Sequence, residues 1–271
     1  MSQGSLPKTH YLICERDDGW LTVWLNRPDV RNALSNEMFG EIRAVITAIR
    51  SDETIRGVTF RGKGGIFSAG GDLKMFSDIF QGAGVSPESV ARSSRLYGEI
   101  YREIETLPQF VMALVEGAAI AGGLGIVCAA DMAIVARDAK FALTETTLGI
   151  PPAQIAPLIV RAIGAKAARR LMLTASRFDG EEAGRLGLAD MVVDDARGLD
   201  AAEVEIRKRV LRCAPQANAR TKHLALAVGS MDERAFIDKA AKAYTECMLS
   251  DEGREGIASF FDKRRPSWAT D

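Results

Sequence analysis

The sequence predicts an α/β core followed by a helical C-terminal part, and three observations carry that prediction. Short apolar runs alternate with helical patterns through the first half of the chain, the order that builds a sheet with crossover helices. Fourteen uncharged residues, Gly117 to Ala130, contain Ala121-Gly122-Gly123 and end at Asp131. That run is shorter than the roughly 20 apolar residues that span a bilayer, so it reads as a helix buried in protein. From Gly149 onward the pattern is mostly helical. With 271 residues, 47% of them hydrophobic, the chain can bury a substantial core.

Taken in order, Tyr11 to Glu15 and Leu21 to Asn26 flank Asp17-Asp18-Gly19 and read as a hairpin. Pro28 ends the second strand. Ser35 or Asn36 caps a helix whose Ile42, Val45, Ile46 and Ile49 form one buried stripe. Gly57 to Arg61 is a strand, and strand–helix–strand order favours right-handed crossovers. Gly65 to Phe76 brings a strand end, the turn Ser68-Ala69-Gly70-Gly71, and a helix over Leu73 to Phe80 that Asp72 caps. Gln81 to Gly84 is a loop. Ser86 and Pro87 then suit the cap and first position of a long helix with Leu96, Ile100, Ile104 and Leu107 as core; Pro108 closes it.

Phe110 to Val115 is an apolar strand leading to the buried helix. Met132 to Val135 and Phe141-Ala142 are short returning strands. Beyond Pro151-Pro152-Ala153-Gln154 come helices at about 157–163, 165–173, 180–186, 198–213, 216–228 and 232–249, then an amphipathic piece from Asp251 to Lys263. No Pro/Gly/Ser-rich linker divides the chain; the expected organisation is a core over 1–200 and a helical region over 201–271.

Composition excludes several function classes. The formal net charge of −1 lacks the electrostatic footprint of a nucleic-acid binder. The start MSQGSLPKTH has no apolar signal core and no later segment spans a membrane, so a cytoplasmic protein is expected. Cys14, Cys128, Cys213 and Cys247 are scattered, which disfavours zinc and disulfides and leaves buried free thiols. His10 and His223 lie far from the glycine turns in sequence, and a G-x-S-x-G elbow is missing, which disfavours a Ser-His-Asp hydrolase.

Chemistry is suggested by two turns. The start of the buried helix near Gly122 offers unpaired N–H groups and a partial positive charge to a ligand oxygen, and glycine permits close approach. Glycines there serve packing as readily as catalysis. Glu145, in FALTETTLG among apolar and hydroxyl side chains, is a candidate proton carrier. Asp131 reads as a structural carboxylate.

These stretches together resemble the crotonase family, also called the enoyl-CoA hydratase/isomerase superfamily. Asn26-Arg27-Pro28 with Arg31-Asn32-Ala33-Leu34 is similar to its first block, and FSAGGDLK to its acyl-CoA-binding block. VEGAAIAGGLG, FALTETTLGI, FDGEEAGRLGLADMVV and FFDKRR (Phe260 to Arg265) follow in family order. The resemblance implies a crotonase-like spiral of ββα turns with C-terminal helices that trimerise, as a homotrimer or homohexamer. It implies an acyl-CoA thioester as substrate, with no metal and no cofactor beyond coenzyme A.

It assigns the backbone N–H groups of Gly71 and Gly122 to one thioester oxygen and makes Glu145 the acid/base. Ala33, Ser68, Ala69, Gly70, Asp72 and Leu73 are expected at the nucleotide and pantetheine, with Arg31 and Lys263 as phosphate partners. Lys263 could equally be part of a solvated helix end or reach in from a neighbouring subunit. Family hydratases with two carboxylates carry the second at the position of Gly125, so simple enoyl-CoA hydration is put in question. A subset acting on branched glutaconyl thioesters resembles this sequence in having Gly there and a loop like TLGIPPAQIAP. That likeness implies a hydro-lyase acting on isohexenylglutaconyl-CoA, from acyclic terpene breakdown, or on 3-methylglutaconyl-CoA. A double-bond isomerase using Glu145 alone and a non-catalytic acyl-CoA-binding protein are the alternatives.

Overall fold

A computed structural model describes residues 6–72 and 86–269. Strands β1 (Leu12–Asp17) and β2 (Trp20–Leu25) form the expected hairpin, pairing antiparallel from Leu12 opposite Leu25 to Asp17 opposite Trp20. The two linking residues, Asp18 and Gly19, both have positive φ, as the tight hairpin turn demands. Helix α1 (Asn36–Ile49) starts on Ser35, whose hydroxyl accepts from the Met38 N–H, and buries Ile42, Val45, Ile46 and Ile49 as the spacing predicts. Strand β3 (Gly57–Gly62) is buried throughout and runs parallel to β2.

Helix α2 (Pro87–Glu105) is capped by Ser86 with Pro87 at its start. Its core stripe differs from expectation: Ile100, Tyr101 and Ile104 are buried and Leu107 follows them inside, but Leu96 is 37% exposed. Only the C-terminal half of α2 reaches the core, where Phe39 of α1 meets the rings of Tyr97 and Tyr101, so helical spacing alone overextends the buried face. The predicted helix over Leu73 to Phe80 and the loop over Gln81 to Gly84 lie outside the described residues.

The uncharged run from Gly117 to Ala130 is corrected to two elements. After β4 (Phe110–Val115) comes a three-residue strand, β5 (Ala118–Ile120), and only then helix α3 (Gly122–Ala129). Ala121, at φ 48 and ψ −117, makes the break between them. Strands β6 (Met132–Ala136) and β7 (Lys140–Ala142) return as expected. Helix α4 (Ala156–Thr174) is interrupted at Gly164, φ 77 and ψ 154, where sequence reading also divides it. Two strands within the helical half escape sequence reading: β8 (Phe178–Asp179) and β9 (Met191–Val193), on either side of α5 (Gly180–Leu186).

Two sheets result, one in the order β1-β2-β3-β4-β6-β9 and a smaller one in the order β5-β7-β8. Successive chain turns give one strand to the large sheet and the next segment to the small one, which is the ββα spiral. Isolated bridges from Leu34 to Gly71 and from Ser68 to Ala119 continue the small layer toward the N-terminus. Helix α6 (Ala196–Arg212) covers the large sheet, packing Leu199, Ala202, Ile206 and Val210 with Trp20, Met112, Leu114 and Ile134. Helices α7 (Pro215–Ala227), α8 (Glu233–Met248) and α9 (Asp251–Phe261) bury little of their own surface and leave Ile237, Tyr244, Leu249, Phe260 and Phe261 exposed.

Lys222 of α7 ties this helix to the core. Its ammonium lies 2.5 Å from Asp131 and donates to the Gln109 carbonyl at 2.6 Å, while Asp131 also accepts from the Val111 N–H. Asp131 is thus structural, as expected. All four cysteines are free, but Cys213 is exposed rather than buried because it lies at the C-terminal end of α6. Burial pushes the Cys14 thiol up to about 11 and Cys128 up to about 12, so both stay protonated. No described helix is long and apolar enough to cross a membrane. Among the described residues, no group of three or more His, Cys, Asp or Glu side chains could hold a metal ion.

Candidate active site

The site is assembled by backbone pairing between segments that are distant in sequence. Arg31 and Asn32 both adopt left-handed backbone, φ 57 and 54. Asn32 is fully buried and tolerates that conformation because its amide replaces lost backbone partners. It donates to the carbonyls of Lys63 and Ile66 at 2.9 and 2.7 Å and accepts from the Arg27 N–H at 2.8 Å. The Ala69 N–H then donates to Arg31, Leu34 N–H to Gly70, and Asp72 N–H to Leu34. Ser68 is buried; its hydroxyl donates to the Asn32 carbonyl at 2.8 Å and accepts from the Gly70 N–H at 3.1 Å.

The same segment is locked to the second turn. Phe67 N–H donates to Glu116, Ser68 N–H to Ala118, and Ile120 N–H back to Ser68. Only glycine fits at two crossings: a Cβ on Gly117 would stand 2.3 Å from the Gly65 carbonyl oxygen, and one on Gly123 would stand 2.7 Å from the Ser68 Cβ. Ser68 faces Ala119 in parallel register, and the same offset separates Gly71 from Gly122. Gly70 lies against Ile120 and Ala121; a Cβ there would approach the Ile120 oxygen to 3.1 Å. The residue before each expected donor has positive φ, Gly70 at 98° and Ala121 at 48°. Among the described residues, neither the Gly71 nor the Gly122 N–H donates a hydrogen bond. Gly122 opens α3, so helix geometry itself leaves its N–H unpaired.

Glu145 arrives by the next pairing step. Strand β5 runs parallel to β7 with Ile120 opposite Ala142, and Glu145 follows three residues later at the head of a short 3-10 turn, Glu145–Leu148. Its Oε2 is buried without a hydrogen-bond partner among the described residues, and burial raises its pKa above the ordinary carboxylate value. A carboxylate with one unpartnered oxygen can take a proton and return it.

Tyr101 was not among the residues that sequence reading singled out. It is 3% exposed, and its hydroxyl donates to the Gly122 carbonyl at 2.9 Å. Burial first, then the neighbouring Glu145 carboxylate, hold its phenol protonated far above the usual range. The available signal was a tyrosine inside a core stripe, which needs a polar partner. A cavity of about 680 Å³ opens beside Tyr101, with Arg95, Gln154 and Leu158 in its wall.

Of the other expected site residues, Ala33 and Arg31 flank Asn32, and the Arg31 side chain is exposed. The Asp72 carboxylate meets Arg27 at 2.9 Å, and Arg27 also reaches the Ala33 carbonyl; the helix that Asp72 is expected to cap lies outside the described residues. Leu73 lies outside the described residues. Lys263 is exposed at the end of α9, where the following tail is tied through Trp268 to Arg56 and Arg212. Arg56 stands at the start of β3, the end opposite that leading into the first glycine turn, and among the described residues no contact brings Lys263 to the site. His10 and His223 are both exposed.

With this geometry in view, comparison with known proteins gives a consistent result. A family model for enoyl-CoA hydratase/isomerase matches residues 15–271. The fold matches that of Pseudomonas aeruginosa AtuE with TM-score 0.92 and 46% identity, covering 96% of this chain and all of the other. It also matches an enoyl-CoA hydratase/isomerase from Marinobacter aquaeolei with TM-score 0.92 and 39% identity, covering 96% and 99%. A crotonyl-CoA hydratase of Syntrophomonas wolfei is 28% identical over 95% of this chain and 97% of its own length. The mouse mitochondrial methylglutaconyl-CoA hydratase is 28% identical over 94% and 81%.

The chain belongs to the enoyl-CoA hydratase/isomerase family. It is an enzyme of the hydratase type with the crotonase fold.

Proposed function

We propose that the protein adds water across the double bond of a 3-substituted glutaconyl-CoA, isohexenylglutaconyl-CoA or 3-methylglutaconyl-CoA, through a thioester enolate. One observation supports this reading: Gly70 and Ala121, the residues before the two expected donors, lie against each other, and the chain that follows them by the next strand pairing carries the unpartnered Glu145 oxygen. In the proposed reaction Glu145 takes a proton from water as the water oxygen bonds to C3. The double-bond electrons move to the thioester oxygen, where the N–H groups of Gly71 and Gly122 bear the charge. Glu145 then returns the proton to C2 as the enolate collapses. Atoms balance as one water added.

The branched, acidic acyl group is supported by the likeness to the methylglutaconyl-CoA hydratase. Arg31 and Lys263 serve the phosphates of coenzyme A in this reading, with Ala33, Ser68, Ala69, Asp72 and Leu73 along the nucleotide and pantetheine. Lys263 would reach the site of another protomer, and the exposed Tyr244, Leu249, Phe260 and Phe261 support burial in a homotrimer or homohexamer. A second reading, double-bond isomerisation, is favoured by the crowding over Gly125, where no second carboxylate fits without displacing Ile155 and Tyr101, so that Glu145 shuttles the proton.

Incubation with crotonyl-CoA, a 3-enoyl-CoA and methylglutaconyl-CoA in deuterated water separates the possibilities. Hydration of methylglutaconyl-CoA adds the mass of heavy water and supports the first reading. Carbon-bound exchange of the 3-enoyl-CoA without hydration supports isomerisation. Binding of every thioester without either change overturns both.

A further inference from the structure

Gly125 lies one turn into α3, and the space above it is already filled. A Cβ there would stand 2.5 Å from the Ile155 Cγ2, 2.8 Å from the Tyr101 Cζ and 2.9 Å from the Tyr101 Cε1. The filling ring comes from α2. Phe39 braces it edge-on at 5.8 Å, and its hydroxyl reaches past Gly125 to the Gly122 carbonyl. Gly122 needs such a restraint. Glycine has the widest backbone freedom of any residue, and the preceding Ala121 sits in a conformation that L side chains rarely adopt. An N–H that must aim at one oxygen loses its advantage if its residue rocks.

We infer that Tyr101 is a positioning residue for the oxyanion donor: its ring closes the space over Gly125 and its hydroxyl clamps Gly122, leaving proton transfer to Glu145 among the described residues. The inference rests on the thioester-site reading above. Burial and the nearby Glu145 carboxylate keep the phenol protonated, so it serves as a fixed hydrogen-bond donor. A proton released from it would cost too much for it to act as the acid at C2.

Tyr101→Phe keeps the ring and removes the clamp. The decisive readout is the infrared stretch of a carbonyl-labelled saturated thioester, butyryl-CoA, bound to the enzyme, alongside kcat, KM and the pH profile with the hydrated substrate. In wild type the carbonyl frequency falls on binding. In the variant that fall shrinks, kcat drops about tenfold, less than the loss on deleting a donor outright, and KM changes by less than about twofold. The pH midpoint set by Glu145 stays put. An unchanged carbonyl shift and kcat with only a lower melting temperature would reduce Tyr101 to packing and overturn the inference. Lost turnover with an intact carbonyl shift and a missing alkaline limb would make it a proton donor, which also overturns it. Should the phenylalanine variant not fold, 3-fluorotyrosine at position 101 keeps ring and hydroxyl while acidifying the phenol. An unmoved pH profile supports the clamp, and a moved one overturns it. Wild type without any carbonyl shift would sink the thioester site itself, a result visible before any variant is made.

Discussion

Gly125 offers a quantitative test of how tightly the site is packed. Gly125→Ala adds one methyl group inside α3. Alanine gains about 1 kcal/mol over glycine in a helix interior. Against this, the new carbon would stand 2.5–2.9 Å from Ile155 and the Tyr101 ring. Tyr101 is buried and held at both its face and its hydroxyl, so it cannot swing aside, and overpacking of this kind costs about 1–3 kcal/mol. The balance is a loss of about 1 kcal/mol, or roughly 2–4 °C in melting temperature. Gly125→Glu must in addition bury a carboxylate with no partner, a cost of several kcal/mol that takes the melting temperature down by about 10 °C or more. Thermal denaturation of both variants, with crotonyl-CoA hydration followed by loss of enoyl absorbance, is the assay. A Gly125→Glu protein that melts with wild type and gains crotonyl-CoA hydration would refute the argument, because it would mean that the Tyr101 ring leaves room for a second acid.

Further outcomes follow from the same structure. Glu145→Gln abolishes turnover while thioester binding, measured by calorimetry, is retained. Because burial raises the folded-state value of Glu145 above its ordinary 4.5, wild-type stability falls as pH rises through that window, and the Gln variant melts higher at neutral pH, an advantage that vanishes on acidification below about 4.5. Lys222→Met removes the partner of the Asp131 carboxylate, whose side chain keeps 23% exposure, and costs about 1 kcal/mol in denaturant titration, most of which Asp131→Asn in the same chain restores. Asn32→Ala removes three hydrogen bonds at a left-handed position and destabilises by about 3 kcal/mol, read from the same titration. Ala121→Gly relieves positive-φ strain and raises the melting temperature by about 2 °C, but lowers kcat as Gly122 loosens.

Much of this protein was legible from its residues alone. Hydrophobic spacing located α1, the hairpin and the buried face around Ile100 and Ile104, since those signals depend only on period and caps. Gly70-Gly71 and Gly122-Gly123 stood out because turns and close backbone approach restrict the residue types they accept, and Asn32-Ala33-Leu34 stood out through its likeness to the family's first block. The three-residue strand β5 did not stand out. An uncharged run carries no period that tells strand from helix, and a single backbone angle at Ala121 makes the division. Leu96 was misplaced because helical spacing says which residues share a face and not how far along that face a neighbour extends.

What the sequence determined by itself was the class of fold, the family and the chemical types available at the site. Tertiary structure decided which of them meet. The register of Ser68 against Ala119, and of Ile120 against Ala142, sets Gly71, Gly122 and Glu145 at the ends of neighbouring segments. Tyr101 meets Gly122 and Gly125 only because α2 packs across the start of α3. Contacts between residues far apart along the chain are set by how sheets and helices stack, and no local pattern of side chains encodes that distance.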